Sequence, residues 1–159
     1  MDTNRAATLA RELMNAHGLG HVTFGWHRSN RAVGICHSSR LPMAGSDWHV
    51  VGITLSSGLV AVNEETIIRN TILHEIAHAK AGHKAGHGPL WKLAAIAVGA
   101  RPEATCSAGV IEVPTKIQAV CPLCARVHYF RRMPKRTKYC LCQKRVLRQN
   151  WVGLQPARV

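Results

Sequence analysis

Acidic residues are missing from the C-terminal end of this chain. Residues 113–159 hold eleven Lys/Arg and no Asp or Glu, whereas residues 1–112 hold ten Lys/Arg against all eight acids, a net of +2. The formal charge of +13 therefore belongs to the C-terminal part. It argues for a polyanion partner there, most simply nucleic acid, against the alternatives of a solvated surface or an anionic-membrane contact. Long apolar runs are missing as well. The opening stretch MDTNRAATLARELMNAHGLG has no continuous apolar core of the kind a secretory signal needs, and nothing approaches the length of a membrane span. Cysteines are few and unevenly placed. Of the six, Cys121 and Cys124 form one close pair and Cys140 and Cys142 another, the spacing of a metal site rather than of a disulfide framework. Cys36 and Cys106 read as ordinary half-buried thiols. These features predict a reducing intracellular setting, cytoplasmic or nucleoid-associated, with no membrane partner. The 159 residues suffice for one compact domain plus a small appendage, and they contain no internal repeat.

What is present is concentrated in Thr71–Trp91, TILHEIAHAKAGHKAGHGPLW. His74 and His78 lie four residues apart in a run of helical periodicity, so both imidazoles leave the same face and can reach one metal ion. A catalytic zinc takes three protein ligands and keeps a fourth position open, so a third must come from downstream. His83 and His87 are the candidates. Gly82 and Gly86 break the helix, and His87 immediately precedes Gly88-Pro89, where Pro89 suits the first turn of a new helix; His87 is favoured. Glu75 is rotated about 100° from His74, which turns it from the metal toward a water on it, where a carboxylate acts as general base. Peptide hydrolysis is the leading chemistry. Two histidines and a glutamate in a helix otherwise built from Ile67, Ile68, Ile72, Leu73, Ile76 and Ala77 would be costly without a partner.

The rest of the first 112 residues reads as a small mixture of helices and strands. Asp2 or Thr3 caps a helix to about His17, with Ala6, Leu9, Ala10, Leu13 and Met14 on one face. Val22 to Trp26 and Ala32 to His37 alternate as strands, and Ser29-Asn30 between them predicts a hairpin. Residues 38–48 form a loop containing Pro42 and Gly45, Val50 to Leu55 gives a third strand, and Asn63 caps the histidine-bearing helix, which runs to about Ala81. A last helix, Pro89 to Val98, is expected to pack through Leu90, Leu93, Ile96 and Ala97, with Leu90 and Trp91 beneath the metal site. A connector bracketed by Pro102 and Pro114 ends this domain, 1–112.

Residues 113–159 read as a basic zinc ribbon that binds nucleic acid. Cys121, Cys124, Cys140 and Cys142 would close a tetrahedral shell around a structural, non-catalytic zinc, with His128 as a possible replacement for one cysteine. Arg126, Arg131, Arg132, Lys135, Arg136, Lys138, Lys144, Arg145 and Arg148 are interleaved with Tyr129, Phe130, Tyr139 and Trp151, cations for phosphates and faces for unpaired bases. Single-stranded or frayed DNA is the expected partner. The aromatics could instead be the ribbon's own core, a reading that stands equal for Tyr129 and Tyr139.

The segments GICHSS, ITLSSGL, TILHEIAHAKAG and GHGPLW, together with the basic cysteine ribbon, resemble the SprT-like family of zinc metalloproteases over most of the chain. The resemblance implies a minimal zincin-like metalloprotease domain, helices on a small antiparallel sheet, in an α+β protein with a C-terminal zinc ribbon. It implies His74, His78 and His87 as ligands of a catalytic Zn2+ and Glu75 as the catalytic residue. It also implies cleavage of proteins bound or crosslinked to DNA, under the control of DNA. The second cysteine pair departs from the usual spacing, being C-x-C. For the oxyanion, His83 and His49 are the available groups. Two rival readings stand beside it, a non-proteolytic zinc-stabilised nucleic-acid-binding protein and a hydrolase of small peptides or another carbonyl substrate.

Overall fold

A computed structural model describes residues 1–40, 47–104, 109–113, 117–121, 123–130, 139–142, 145–146 and 151–153. The chain forms two compact units, Met1–Val113 and Pro114–Val159.

The first unit is α+β. Helix α1 (Thr3–Ala16) starts at Asp2, whose carboxylate accepts hydrogen bonds from the backbone N–H groups of Asn4 and Arg5, at 2.9 and 3.0 Å. Such a cap satisfies donors that the first helical turn leaves free. Ala6, Leu9, Ala10 and Met14 of α1 are buried, the expected face. Strands β1 (Thr23–His27), β2 (Gly34–Arg40) and β3 (Trp48–Ser56) form one sheet in the order β1-β3-β2.

This order corrects the expected hairpin. β1 pairs with β3 in parallel and β2 pairs with β3 antiparallel, so the sheet is mixed and β3 fills the gap between the two earlier strands. β3 contains Ile53 and Leu55, both fully buried, whereas β2 ends in Ser38, Ser39 and Arg40, so the apolar strand takes the centre and the polar one an edge. Asn30 does not close a hairpin turn. Its side-chain oxygen accepts from Ser56 Oγ at 3.1 Å, and Ser56 N–H donates to the Val33 carbonyl at 2.8 Å, tying the crossing segment to the end of β3. Residues 38–40, expected in a loop, extend β2 after a bulge between His37 and Ser38. Positions 41–46, including Pro42 and Gly45, lie outside the described residues.

Ser57–Val62 forms a short helix, α2, directly after β3, and Asn63 closes α2 instead of opening the next helix. Helix α3 (Glu65–Ala81) begins one residue later at Glu64 and draws no side-chain cap there. It is buried continuously from Thr71 to Ala77, so the central helix has almost no solvent face over two turns. A 3-10 turn (His83–Ala85) and α4 (Pro89–Val98) follow. α4 packs through Trp91, Ala95 and Val98. Leu90, Leu93 and Ile96 are 66%, 66% and 62% exposed, against expectation, and Ala97 is exposed too. Both stripes are apolar and helically spaced, and the larger indole of Trp91 takes the core.

The second unit has a three-stranded antiparallel sheet, β5 (Val127–Phe130), β4 (Ile117–Val120) and β8 (Trp151–Gly153), in the order β5-β4-β8. A separate pair joins β6 (Tyr139–Cys140) to β7 (Arg145–Val146). Among the described residues of this unit, Ala119, Cys121 and Cys140 are buried, with Phe130 against them. Tyr129 and Tyr139 are 60% and 59% exposed, so they are not core residues. Arg131, Arg132, Lys135, Arg136, Lys138, Lys144 and Arg148 lie outside the described residues, as do Cys106 and Pro114.

Candidate metal centres

The first centre is assembled by two short-range devices. Helical spacing brings His74 and His78 onto one face of α3. Gly82 and Gly86 then adopt positive φ, +88° and +50°, which lets the chain leave α3 and return. Gly88-Pro89 starts α4 and places His87 against the first two histidines.

The three ring nitrogens converge. His87 Nε2 lies 3.1 Å from His74 Nε2 and 3.0 Å from His78 Nε2. All three ligand atoms fall within 4.8 Å of one another. Trp91 lies beneath, with its ring centroid 4.6 Å from those of His74 and His87 and 5.4 Å from that of His78. Burial, and then the neighbouring histidines, hold the pKa of His74 down to about 4, and burial with His87 does the same for His78. Neutral imidazoles keep the lone pairs that a cation needs. Nitrogens about 2.0–2.1 Å from a tetrahedral zinc stand about 3.3–3.4 Å apart, close to the spacing seen, so the donor set fits such an ion.

Glu75 is 7% exposed and shares a cleft of about 320 Å³ with the three histidines, Cys36, Ser38 and His83. Burial pushes its pKa up to about 7, opposed by a hydrogen bond from the Cys36 backbone. A carboxyl group near neutrality can both take and give a proton. Gly34 permits this packing. A methyl group on its Cα would lie 2.8 Å from Glu75 Cγ and from Thr71 Cγ2. Gly34 was not singled out in the sequence, although a glycine inside a strand often marks such a close approach. Cys36 is half-buried on β2, and burial followed by the Glu75 charge pushes its thiol up to about 12. His83 lines the cleft but stands outside the imidazole trio; it stacks on Trp48 at 3.8 Å between centroids. His49 is exposed on β3.

The second centre gathers the four cysteines. Their sulfurs lie within 4.8 Å of one another, with Cys121–Cys142 and Cys124–Cys140 each at 3.6 Å. Sulfurs about 2.3 Å from a tetrahedral zinc stand about 3.8 Å apart, so this set also fits. Hydrogen bonds from the backbone of Cys124 and Leu123 lower the Cys121 pKa, favouring the thiolate a metal requires. The C-x-C spacing of the second pair does not prevent the gathering. His128 is not part of the group.

No curated protein and no solved structure matches the chain. A family model describing the SprT-like family matches residues 4–111, a span that takes in α1 to α4, the three converging histidines and Glu75. The chain belongs to the SprT-like family, a membership that suggests a metalloprotease-related function.

Proposed function

We propose that the chain is a zinc endopeptidase of SprT type that cleaves DNA-bound or DNA-crosslinked proteins. The observation that carries this reading is the shared cleft, in which three converging imidazoles meet the buried Glu75 carboxyl group. His74, His78 and His87 would hold the ion in a zincin-like domain, and Cys121, Cys124, Cys140 and Cys142 would hold a structural zinc in a ribbon. A zinc ion held by the histidines would supply Lewis acidity, polarising the scissile carbonyl and acidifying water. Glu75 takes the proton of the attacking water and passes it to the leaving amine. Trp91 fixes the imidazole planes by contact with all three rings. β2 borders the cleft, and no described strand pairs with its outer edge, so an extended substrate segment can add there through main-chain hydrogen bonds.

The basic C-terminal region would bind DNA, with the exposed Tyr129 and Tyr139 offering faces to unpaired bases. Tethering raises the local concentration of any protein on the same strand. Thiols gathered for a metal suit a reducing interior, cytoplasmic or nucleoid-associated.

The test is cleavage of a basic DNA-binding protein by the zinc-loaded chain, with and without single-stranded DNA, beside Glu75→Gln. Cleavage should require DNA and fall by about 10²–10⁴-fold in the variant, whose zinc and DNA binding should persist. Undiminished hydrolysis by Glu75→Gln would overturn the mechanism. Zinc and DNA binding without any turnover would favour a non-proteolytic nucleic-acid-binding protein.

A further inference from the structure

Two chambers meet at Glu75. One opens toward the three imidazoles. The other, about 400 Å³, shares Gly34, His74 and Glu75 with the first but includes neither His78 nor His87. Ala32, Val33, Leu59 and Val110 give it apolar walls, and the polar Asn30 and Thr71 line it too, with Arg31 and Glu112 exposed. Its volume lies within the range of about 300–1,000 Å³ in which pockets enclose a ligand group.

One wall belongs to residues 110–112, which form neither helix nor strand, and Asn63 sets their position. Asn63 is 1% exposed. It grips Ile111 as a neighbouring strand would, Nδ2 donating to the Ile111 carbonyl at 2.8 Å and Oδ1 accepting from the Ile111 N–H at 2.6 Å. The same Nδ2 donates to the Leu59 carbonyl at 2.8 Å. A buried amide with these bonds in place ties the two apolar walls, Leu59 and Val110, to a fixed separation.

The geometry points to a specificity pocket, one that takes a large apolar side chain, Leu, Met or Phe, from the substrate residue on the nitrogen side of the scissile bond. This rests on the proteolytic reading above. Glu75 delivers its proton to the leaving nitrogen, so that nitrogen lies at the carboxylate. The chamber starts at the same carboxylate and leads away from His78 and His87, which makes the side chain of the residue owning that nitrogen the one to enter. A charged side chain would lose its hydration against Ala32, Val33, Leu59 and Val110, and the buried carboxyl among the lining groups, Glu75, is already engaged by the leaving nitrogen.

Unstructured dye-labelled peptides differing at one position, Gly, Ala, Leu, Phe, Lys or Asp, test the assignment. The full zinc-loaded chain is used, with single-stranded DNA in every reaction, and the products are mapped by mass. Cleavage on the amino side of Leu or Phe should exceed that at Gly or Lys by at least about tenfold in kcat/KM. Val110→Trp and Ala32→Leu each fill the chamber from a different wall. Both should remove the Leu/Phe advantage, bringing the Leu and Phe peptides to the rate of the Ala peptide in the same variant. In Glu75→Gln, fluorescence anisotropy should rank the uncleaved peptides in the same order, and Val110→Trp should abolish that ranking. Cleavage that depends on Glu75 but ignores the side chain, or keeps its preference in both filled variants, overturns the pocket and leaves the protease. No Glu75-dependent cleavage of any peptide overturns both.

Discussion

The two units hold their candidate metal groups in opposite ways. In the first, the histidines stand on a framework complete without them, for twenty apolar side chains are buried there among the described residues. In the second, the described core is Ala119, Cys121 and Cys140, and two of those three are the candidate ligands themselves. The first framework positions a site, whereas in the described part of the second the candidate ligands are themselves the core. A small unit whose core is made of such ligands would depend on a bound metal, while a domain with a continuous core tolerates losing one.

The largest effect should therefore come from attacking the sulfurs. Cys140→Ala, or chelation, would remove the proposed structural metal, whose binding is worth about 10–16 kcal/mol in comparable small domains. Hydrogen exchange should show protection lost over the described strands of the second unit and retained in α1, α3 and α4. His74→Ala should produce no such loss in either unit. If chelation collapses both units alike, the distinction between a framework and a site fails.

Trp91 tests the comparison from within the first unit. It is fully buried and touches all three imidazoles, so framework and site meet in one side chain. Trp91→Ala should cost about 3–5 kcal/mol in denaturant unfolding, a typical figure for emptying so large a core position. Zinc affinity at the histidines should fall with it, because the rings lose the surface that orients them. Trp91→Phe should recover most of the stability.

Protons separate the units next. In the metal-free first unit His74 and His78 sit near 4, below their ordinary 6.5, because burial disfavours the charged ring. Their contribution is present above pH 6.5 and is lost as pH falls through 4, since the unfolded chain takes up protons that the fold refuses. Glu75 runs the other way. Held near 7 against an ordinary 4.5, it contributes below pH 4.5 and loses that contribution as pH rises through 7. Thermal unfolding of the metal-free chain should show two histidines outweighing one carboxyl, with stability falling toward acid. A bound divalent ion lowers the Glu75 pKa by its charge, so the acid limb of cleavage should lie below pH 7.

What the sequence disclosed was what neighbouring residues decide. The four-residue spacing of His74 and His78, the glycine breaks at 82 and 86, and the Pro89 helix start are all local, and the structure follows them closely. The pairing of β1 with β3 was not legible, because it depends on which strand needs two neighbours. Ile53 and Leu55 answer that only once the core exists. Asn63 was misread for a related reason. A cap and a long-range clamp use the same amide, and its partner Ile111 lies 48 residues away. The contact of Gly34 with Glu75 likewise required the sheet and helix to be brought together first.

The smallest effect belongs to α4, where helical spacing allowed two apolar faces. Leu93 lies two residues from Trp91 but is 66% exposed, so removing its side chain empties no cavity. Leu93→Ser should change the unfolding free energy by less than about 0.5 kcal/mol, the range of ordinary surface substitutions. Set beside Trp91→Ala, it measures how sharply one helix divides framework from surface. A cost of several kcal/mol at Leu93 would mean that the outer stripe is covered in the working protein. The first unit would then depend on a contact beyond its own core, as the second depends on its sulfurs.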